Sequence, residues 1–225
     1  MKRAIMICFI MLVSSRVVLA ASGTETEGWF ELKLQHNIIS NAAISLSAQF
    51  RLDEKISHIS AGIIESEGEF RFFKHLSIAA GYRFAHNRLK DDGYEPVHRV
   101  YANISGRLPL DYWRLKYRLQ AQNQWDWTSK GVRKDKTTLR NRITIEYKIN
   151  KTIRPYIAVE HFLPVDTYKN HLTNKCWFTI GTELQIADAQ IEPFYRYELP
   201  FENPNDPVIH IIGISMQFEP LLSQK

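Results

Sequence analysis

The sequence has little cysteine and no hydrophobic run long enough to cross a membrane as a helix. Cys8 and Cys176 are its two cysteines, and Cys8 lies in a segment that we expect to be removed, which excludes a disulfide within the mature chain. No stretch approaches 18 consecutive apolar residues, so a membrane-spanning α-helix is excluded as well. Mean hydropathy is -0.29, so a search for apolar helices would not identify the chain as a membrane protein.

The first twenty residues have the three parts of a secretory signal peptide. Lys2 and Arg3 give a positive start, residues 4–13 form an apolar core, and Val18-Leu19-Ala20 is a small-residue cleavage site. We expect cleavage after Ala20, which leaves residues 21–225 as one mature domain. Because no cysteine stands directly after the cleavage site, a lipoprotein anchor is not expected.

Much of the positive charge lies in this leader. The formal net charge is +5, and removal of Lys2, Arg3 and Arg16 lowers it to +2. Proteins that bind nucleic acid need a concentrated basic surface. The composition of the mature chain therefore argues against nucleic acid as a partner.

What the chain has instead is alternation, from Phe30 to Phe218, in segments of about ten residues that each end in a turn. In residues 43–53 the apolar positions Ile44, Leu46, Ala48, Phe50 and Leu52 alternate with polar ones. Successive side chains of a strand point to opposite faces, so each segment predicts a strand with one apolar and one polar face. We predict eleven strands, over residues 29–38, 43–53, 58–73, 76–86, 97–108, 112–126, 137–149, 153–163, 174–186, 190–199 and 207–218.

The polar faces carry charges in rows. These rows contain Glu65, Glu67, Glu69, Arg71, Arg114, Lys116, Arg118, Arg140, Arg142 and Glu146. A soluble sandwich packs its apolar faces together, whereas a membrane barrel has an apolar outside and a polar lumen. We therefore predict an all-β fold, an antiparallel up-and-down transmembrane β-barrel of ten to twelve strands in the outer membrane, with these ten residues lining a pore.

Connection lengths support the same architecture, since short turns alternate with longer loops. We expect the longer connections at residues 87–96, 127–136, 164–173 and 200–206, and barrels of this class have their long loops outside the cell. Single-chain bacterial barrels have even strand numbers. Eleven strands would leave the N-terminus outside, so we expect ten or twelve.

Aromatic residues collect where the two membrane interfaces would lie. Tyr112 and Trp113 begin a strand on the periplasmic side, while Trp29 and Trp177 fall on the lumen face and do not fit a girdle. The predicted outer girdle consists of Tyr82, Phe84, Trp125, Tyr195, Tyr197 and Phe201.

Several short segments resemble a family of bacterial barrels known as domain of unknown function 2490. They are Gly81-Tyr82-Arg83-Phe84, Leu139-Arg140-Asn141-Arg142, the segment from Pro155 to Phe162, and Tyr195-Arg196-Tyr197. The resemblance covers nearly the whole mature chain and implies an outer-membrane-type barrel. It implies no activity and supplies no site residues, because the family has no assigned function.

The function that we favour is a passive pore or structural barrel for small polar or anionic solutes. Arg114, Lys116 and Arg118 on one strand and Arg140 and Arg142 on the next would form a positive strip on the lumen wall, and such strips favour anions. The alternative is a plug, in which these charges pair with inward carboxylates across a narrow barrel.

A lipid-modifying hydrolase at the outer rim is a second hypothesis, with Ser60 as nucleophile and His86 or His98 as general base. His58, His161 and His210 share the same apolar face. The chain has no Gly-x-Ser-x-Gly sequence, and histidine also suits a membrane interface, so we do not expect an enzyme. Histidines spread round a rim cannot converge on one ion, so we expect no metal and no cofactor.

Basic residues in two predicted outer loops suggest contact with outer-membrane lipid and lipopolysaccharide. They are Arg88 and Lys90 in one loop, and Lys130, Arg133, Lys134 and Lys136 in the other. Lysine and arginine bind phosphate well, although a solvated loop would have the same composition. A soluble periplasmic barrel with a ligand cavity is the third hypothesis.

Overall fold

A computed structural model describes residues 24–88, 93–128, 131–165, 174–201 and 206–219, with the side chains of residues 127–135 left out. The predicted signal peptide lies outside these residues. Eleven strands form one closed barrel. They are β1 (Thr24–Ile39), β2 (Ala42–Asp53), β3 (His58–Phe73), β4 (Leu76–Arg88), β5 (Tyr94–Leu110), β6 (Trp113–Thr128), β7 (Gly131–Tyr147), β8 (Ile153–Pro164), β9 (Lys175–Ile186), β10 (Ala189–Pro200) and β11 (Val208–Phe218).

The prediction of an all-β barrel of ten to twelve strands is confirmed. The even strand number that we expected is wrong, because β1 stands in the barrel wall and no further strand pairs with it in the described part of the chain. An odd number of strands closes only through a parallel pair. β1 and β11 form that pair, from Thr24 opposite Val208 to Leu34 opposite Phe218, while every other pairing is antiparallel.

Alternate residues of each strand point to the outside and to the inside of the barrel. On β3, Ile64 points outward and is 56 % exposed, whereas its neighbours Ile63 and Glu65 point inward. Outward residues on distant strands are as exposed, with Ile104 at 52 % and Ile157 at 57 %. Because the sheet is closed, backbone N–H and C=O groups are paired all the way round, and the barrel has no free edge.

The two ends of the barrel differ in their connections. Tight turns join the strands at one end, which we call the turn end, for example at residues 40–41, 111–112 and 187–188. The opposite end, called the loop end, has the longer connections. The predicted loop 127–136 is wrong in extent, because β6 and β7 continue the hairpin until Thr128 pairs with Gly131. No helix in the described segments is long and apolar enough to span a membrane.

Two apolar clusters fill part of the interior toward the loop end. One contains Ala61, Ile63, Ala85 and Val97, from β3, β4 and β5. The other lies across the barrel and is mainly aromatic. It consists of Trp29, Phe162, Trp177 and Ile211, with Phe194 and Ile209 packed against it. Both narrow the interior, so polar space is left mainly toward the turn end and the middle.

Candidate functional site

The interior holds a cavity of about 730 Å³, bounded by side chains from all eleven strands. Its wall includes Phe73, His75 and Arg107 at the turn end, and it reaches as far as Trp29 and Trp177 in the aromatic cluster. Cavities of this size accommodate small solutes. The cavity therefore reaches from the turn end into the loop-end half of the barrel.

Nine of the ten residues predicted to line the lumen are on the wall of this cavity. They are Glu65, Glu67, Glu69, Arg71, Lys116, Arg118, Arg140, Arg142 and Glu146. Arg114 is not on the wall, and one of its guanidinium nitrogens lies 3.2 Å from Glu146. That these residues line a conducting pore stays a prediction.

The basic strip is organised round a single carboxylate. Glu160 on β8 is 3 % exposed, and its Oε1 accepts from Arg118 and Arg140 at 2.8 Å. Arg142 lies 4.0 Å from the other oxygen of Glu160. Three guanidinium groups thus share one carboxylate, which leaves the strip with an excess of positive charge. Toward the turn end, Lys116 contacts Glu146 and also Glu183, the latter at 3.0 Å.

The acidic row on β3 faces the basic strip but is itself paired with cations. Glu65 binds Arg83 on β4, Glu67 lies 3.6 Å from Lys33 on β1, and Glu69 lies 3.2 Å from Arg71. The hydroxyl of Tyr101 donates to Glu65 and Glu67, both at 3.0 Å. The negative charge of this wall is therefore largely compensated.

The cavity as a whole is positive. Its wall includes thirteen Lys or Arg residues and eight Glu residues among those that the structure describes. A surplus of fixed positive charge raises the local concentration of anions. The sequence left open a plug in which these charges pair with inward carboxylates, and the wall of this cavity has fewer carboxylates than cations.

Several cationic residues of the wall were missed as site residues in the sequence. Arg51, Arg99 and Arg196 all fall on the inward face, but none of them has another cationic residue two positions away on its strand, so they do not form a row of like charges. Their place in the alternation was the signal that could have identified them. Trp29 and Trp177 fall on the lumen face as expected, with ring centroids 5.6 Å apart.

At the loop end, four histidines contact aromatic residues, namely His86, His98, His161 and His210. Tyr82 Oη lies 2.6 Å from His98 Nδ1, and Tyr195 Oη lies 2.5 Å from His210 Nδ1. His98 also stacks on Trp125 at 5.8 Å. Phenol and imidazole rings with one apolar and one polar side suit a membrane interface, so these pairs have the character of a girdle.

The structure does not bring Ser60 and His98 together. Strand β4 lies between their strands, which separates the two backbones by about 10 Å. His86 is opposite Gly62 in the ladder and stacks on Tyr94, and no hydrogen bond joins it to Ser60 within the described chain. The nucleophile and base that the sequence suggested are therefore not assembled.

A second serine and histidine do meet in the β2–β3 turn. Ser57 Oγ lies 2.8 Å from His58 Nδ1, and Glu54 lies 3.2 Å from the same nitrogen. In a catalytic triad the serine and the carboxylate use opposite ring nitrogens. These three exposed residues do not have that geometry.

Within the described segments no three His, Cys, Asp or Glu side chains are grouped so that they could hold an ion.

The predicted basic loops are only partly described. Lys90 and Lys130 lie outside the described residues, as do the side chains of Arg133 and Lys134. Lys136 is on the cavity wall instead of in an outer loop, which corrects its predicted place. Arg88 ends β4 and pairs with Asp53 and Glu54 across the loop end.

Comparison with known proteins gives one family and a distant structural likeness. A family model described as Protein of unknown function (DUF2490) matches residues 26–208. No curated protein matches the chain. Among solved structures, the chain is similar to the beta domain of the Bordetella autotransporter BrkA, with 9% identity and a TM-score of 0.47, over 79% of this chain and 81% of that chain.

Proposed function

Because the chain belongs to the DUF2490 family, whose description assigns no activity, we propose from its own geometry that it is an outer-membrane β-barrel that admits small anionic solutes. The observation that carries the proposal is the surplus of thirteen cationic over eight anionic side chains on the cavity wall. The solute would enter the cavity from the turn end and meet the positive strip formed by Arg118, Arg140 and Arg142.

The outer surface supports a membrane location. Large apolar side chains stand exposed on all sides of the barrel, including Phe50 on β2, Ile104 on β5, Ile157 on β8 and Ile212 on β11. Monomeric soluble proteins rarely expose apolar surface on this scale. The same surface argues against a soluble periplasmic barrel. Exposed Tyr112 and Trp113 at the turn end and the tyrosine–histidine pairs at the loop end mark the two interfaces.

The direct test is conductance of the purified barrel in a planar lipid bilayer under a gradient of potassium chloride. The proposal predicts stable unitary conductance steps. Their reversal potential should lie closer to the equilibrium potential of chloride than to that of potassium, because fixed positive charge favours anions. Arg142→Gln removes one charge from the cavity wall and should move the reversal potential toward that of potassium. Lys151→Gln is the matched control, since Lys151 lies in an exposed turn away from the cavity wall.

A structural barrel with a closed interior is the second candidate, and two observations favour it. The three arginines round Glu160 tie two wall strands to a third, and the apolar clusters narrow the loop end. Insertion into the bilayer without conductance, for the protein and for Arg142→Gln alike, would support this candidate and overturn the pore. Cation selectivity would overturn the anionic solute.

A further inference from the structure

We propose that Arg51 and Arg196 form a binding site for a divalent tetrahedral oxyanion, the group found in sulfates and phosphates, on the cavity side of Trp29. The proposal deepens the proposed function and rests on it for access, since the ligand has to reach the interior. It concerns the aromatic cluster beside the positive strip round Glu160, where Arg140 of the strip and Arg196 contact the same Trp177 ring.

Both guanidinium groups lie against the ring of Trp29. The guanidinium carbon of Arg51 lies 3.8 Å from the centre of the Trp29 ring, and that of Arg196 lies 5.0 Å from the same point. Arg196 also lies 4.2 Å from the ring of Trp177. Cation–π contacts of this length hold a guanidinium in place without using its N–H groups. Both arginines are on the cavity wall.

Neither arginine has a carboxylate partner among the described residues. Arg51 gives two N–H groups to the side-chain oxygen of Gln49, at 3.1 and 3.2 Å, and Arg196 gives one to the hydroxyl of Thr179 at 3.1 Å. A guanidinium has five N–H donors. Each arginine therefore keeps donors unused, although Arg196 is only 8 % exposed.

Glu27 attracts Arg51 and Glu160 attracts Arg196, but neither carboxylate forms an ion pair with these arginines, and both accept from other donors. The indole N–H of Trp29 donates to Glu27 at 2.7 Å. The indole N–H of Trp177 donates to Glu198, which also accepts from Lys175 at 2.9 Å. The tryptophans thus turn their N–H edges to Glu27 and Glu198 and their faces to the arginines.

The charges round the two arginines indicate which kind of ligand the site would bind. Arg83, Arg196 and Arg140 act on Arg51 as like charges and Glu27 acts on it as an opposite charge, so the repelling cations outnumber the attracting carboxylate. A divalent anion would relieve that repulsion, and its oxygens match the fork geometry of guanidinium donors. A monovalent anion would compensate only half of the charge of the pair.

Isothermal titration calorimetry of the purified barrel in maltoside micelles tests the site without requiring conduction. Sodium sulfate and sodium phosphate are the probes, titrated at pH 8 in a chloride background of fixed ionic strength, with sodium nitrate as a monovalent comparison. The proposal predicts saturable binding of one sulfate or phosphate per barrel and a weaker response to nitrate. The two arms tell which of the divalent groups the site takes.

Variants locate the site. Arg51→Gln and Arg196→Gln should each weaken binding about tenfold or more, the effect of losing a charge-assisted contact. Arg71→Gln is the matched control, because Arg71 is on the same cavity wall but is paired with Glu69. Arg51→Lys keeps the charge and loses the fork, so partial recovery would show that geometry matters. Circular dichroism and the unfolding midpoint establish that each variant folds.

Three results would overturn the proposal: no saturable binding of either divalent anion, equal binding of nitrate, or an equal loss in Arg71→Gln. Failure of the pore would be distinguishable. Binding in micelles without conductance in bilayers would support the site and overturn the pore, whereas anion-selective conductance without saturable binding would do the reverse.

Discussion

The ring of Tyr156 on β8 lies flat against Gly181 on β9, with its hydroxyl oxygen 2.6 Å from the point where a Cβ atom of residue 181 would be. The same hydroxyl donates to Glu192 on β10 at 2.5 Å. One side chain thus spans three neighbouring strands, and the absence of a side chain at Gly181 makes room for it. Phe194 against Gly213 and Tyr101 against Gly81 repeat the arrangement elsewhere on the inner wall.

Gly181→Ala should therefore destabilise the barrel by about 1–3 kcal/mol, the usual cost of overpacking a filled site. The new methyl group would displace Tyr156 and lengthen its bond to Glu192. Urea unfolding in micelles, followed by tryptophan fluorescence, gives the free energy of unfolding. Gly68→Ala is the control, since nothing lies within 4 Å of its Cβ position. Equal effects of the two substitutions would contradict the packing argument.

Among the substitutions considered, replacement of Glu160 should lower the free energy of unfolding most. Glu160→Leu would leave Arg118, Arg140 and Arg142 beside one another without their common carboxylate. Breaking a buried ion pair by removing one partner costs about 3–5 kcal/mol, so we expect a loss of that size in the free energy of unfolding.

Glu69→Gln is the comparison for this prediction, because Glu69 pairs with Arg71 near the cavity mouth and is half exposed. Exposed pairs contribute about 0–1 kcal/mol. A loss for Glu160→Leu no larger than that for Glu69→Gln would show that the three arginines have other compensation.

The strands could be predicted because every one of them has an apolar and a polar face, and a shift of one residue would put Glu65 into the apolar surface and Ile64 into the lumen. Strand ends were less certain. The segment 127–136 has charges and a glycine, which suggested a loop, yet backbone pairing continues to Thr128 and Gly131. Hairpin pairing outweighed composition there.

The pairing of β1 with β11 and the approach of Arg51 and Arg196 to Trp29 could not be predicted from the sequence, for a different reason. Whether β1 pairs with β11 depends on contacts between residues almost two hundred positions apart, such as Leu34 and Phe218. Arg51 and Arg196 are also far apart along the chain, by 145 positions. Alternation states which way a side chain points, but not which other side chains it meets across the barrel.

The parallel closure gives a prediction about cross-linking. In a Cys176→Ser background, Lys33→Cys with Gln217→Cys should form a disulfide, because these residues are opposite each other on β1 and β11. Adjacent strands lie about 4.8 Å apart, within the Cα separation that a disulfide requires. Mass spectrometry of the unreduced protein detects the bond. Lys33→Cys with Ser215→Cys is shifted by two residues and should not cross-link, so equal yields would argue against this register.

The last prediction concerns depth in the membrane. Ile64 points outward near the middle of β3, and Ile149 is equally exposed but lies beyond the end of β7 at the turn end. Lysine on the lipid face costs about 2–4 kcal/mol at the midplane and about 0–1 kcal/mol near an interface. Ile64→Lys should therefore lower the free energy of unfolding in phospholipid vesicles by about 2–4 kcal/mol, and Ile149→Lys by much less. In a barrel surrounded by water both substitutions would be nearly neutral, because either lysine would be solvated. Equal and small effects in vesicles would thus contradict the proposed membrane location and the pore that depends on it. They would not contradict the barrel fold or the positive charge of its interior.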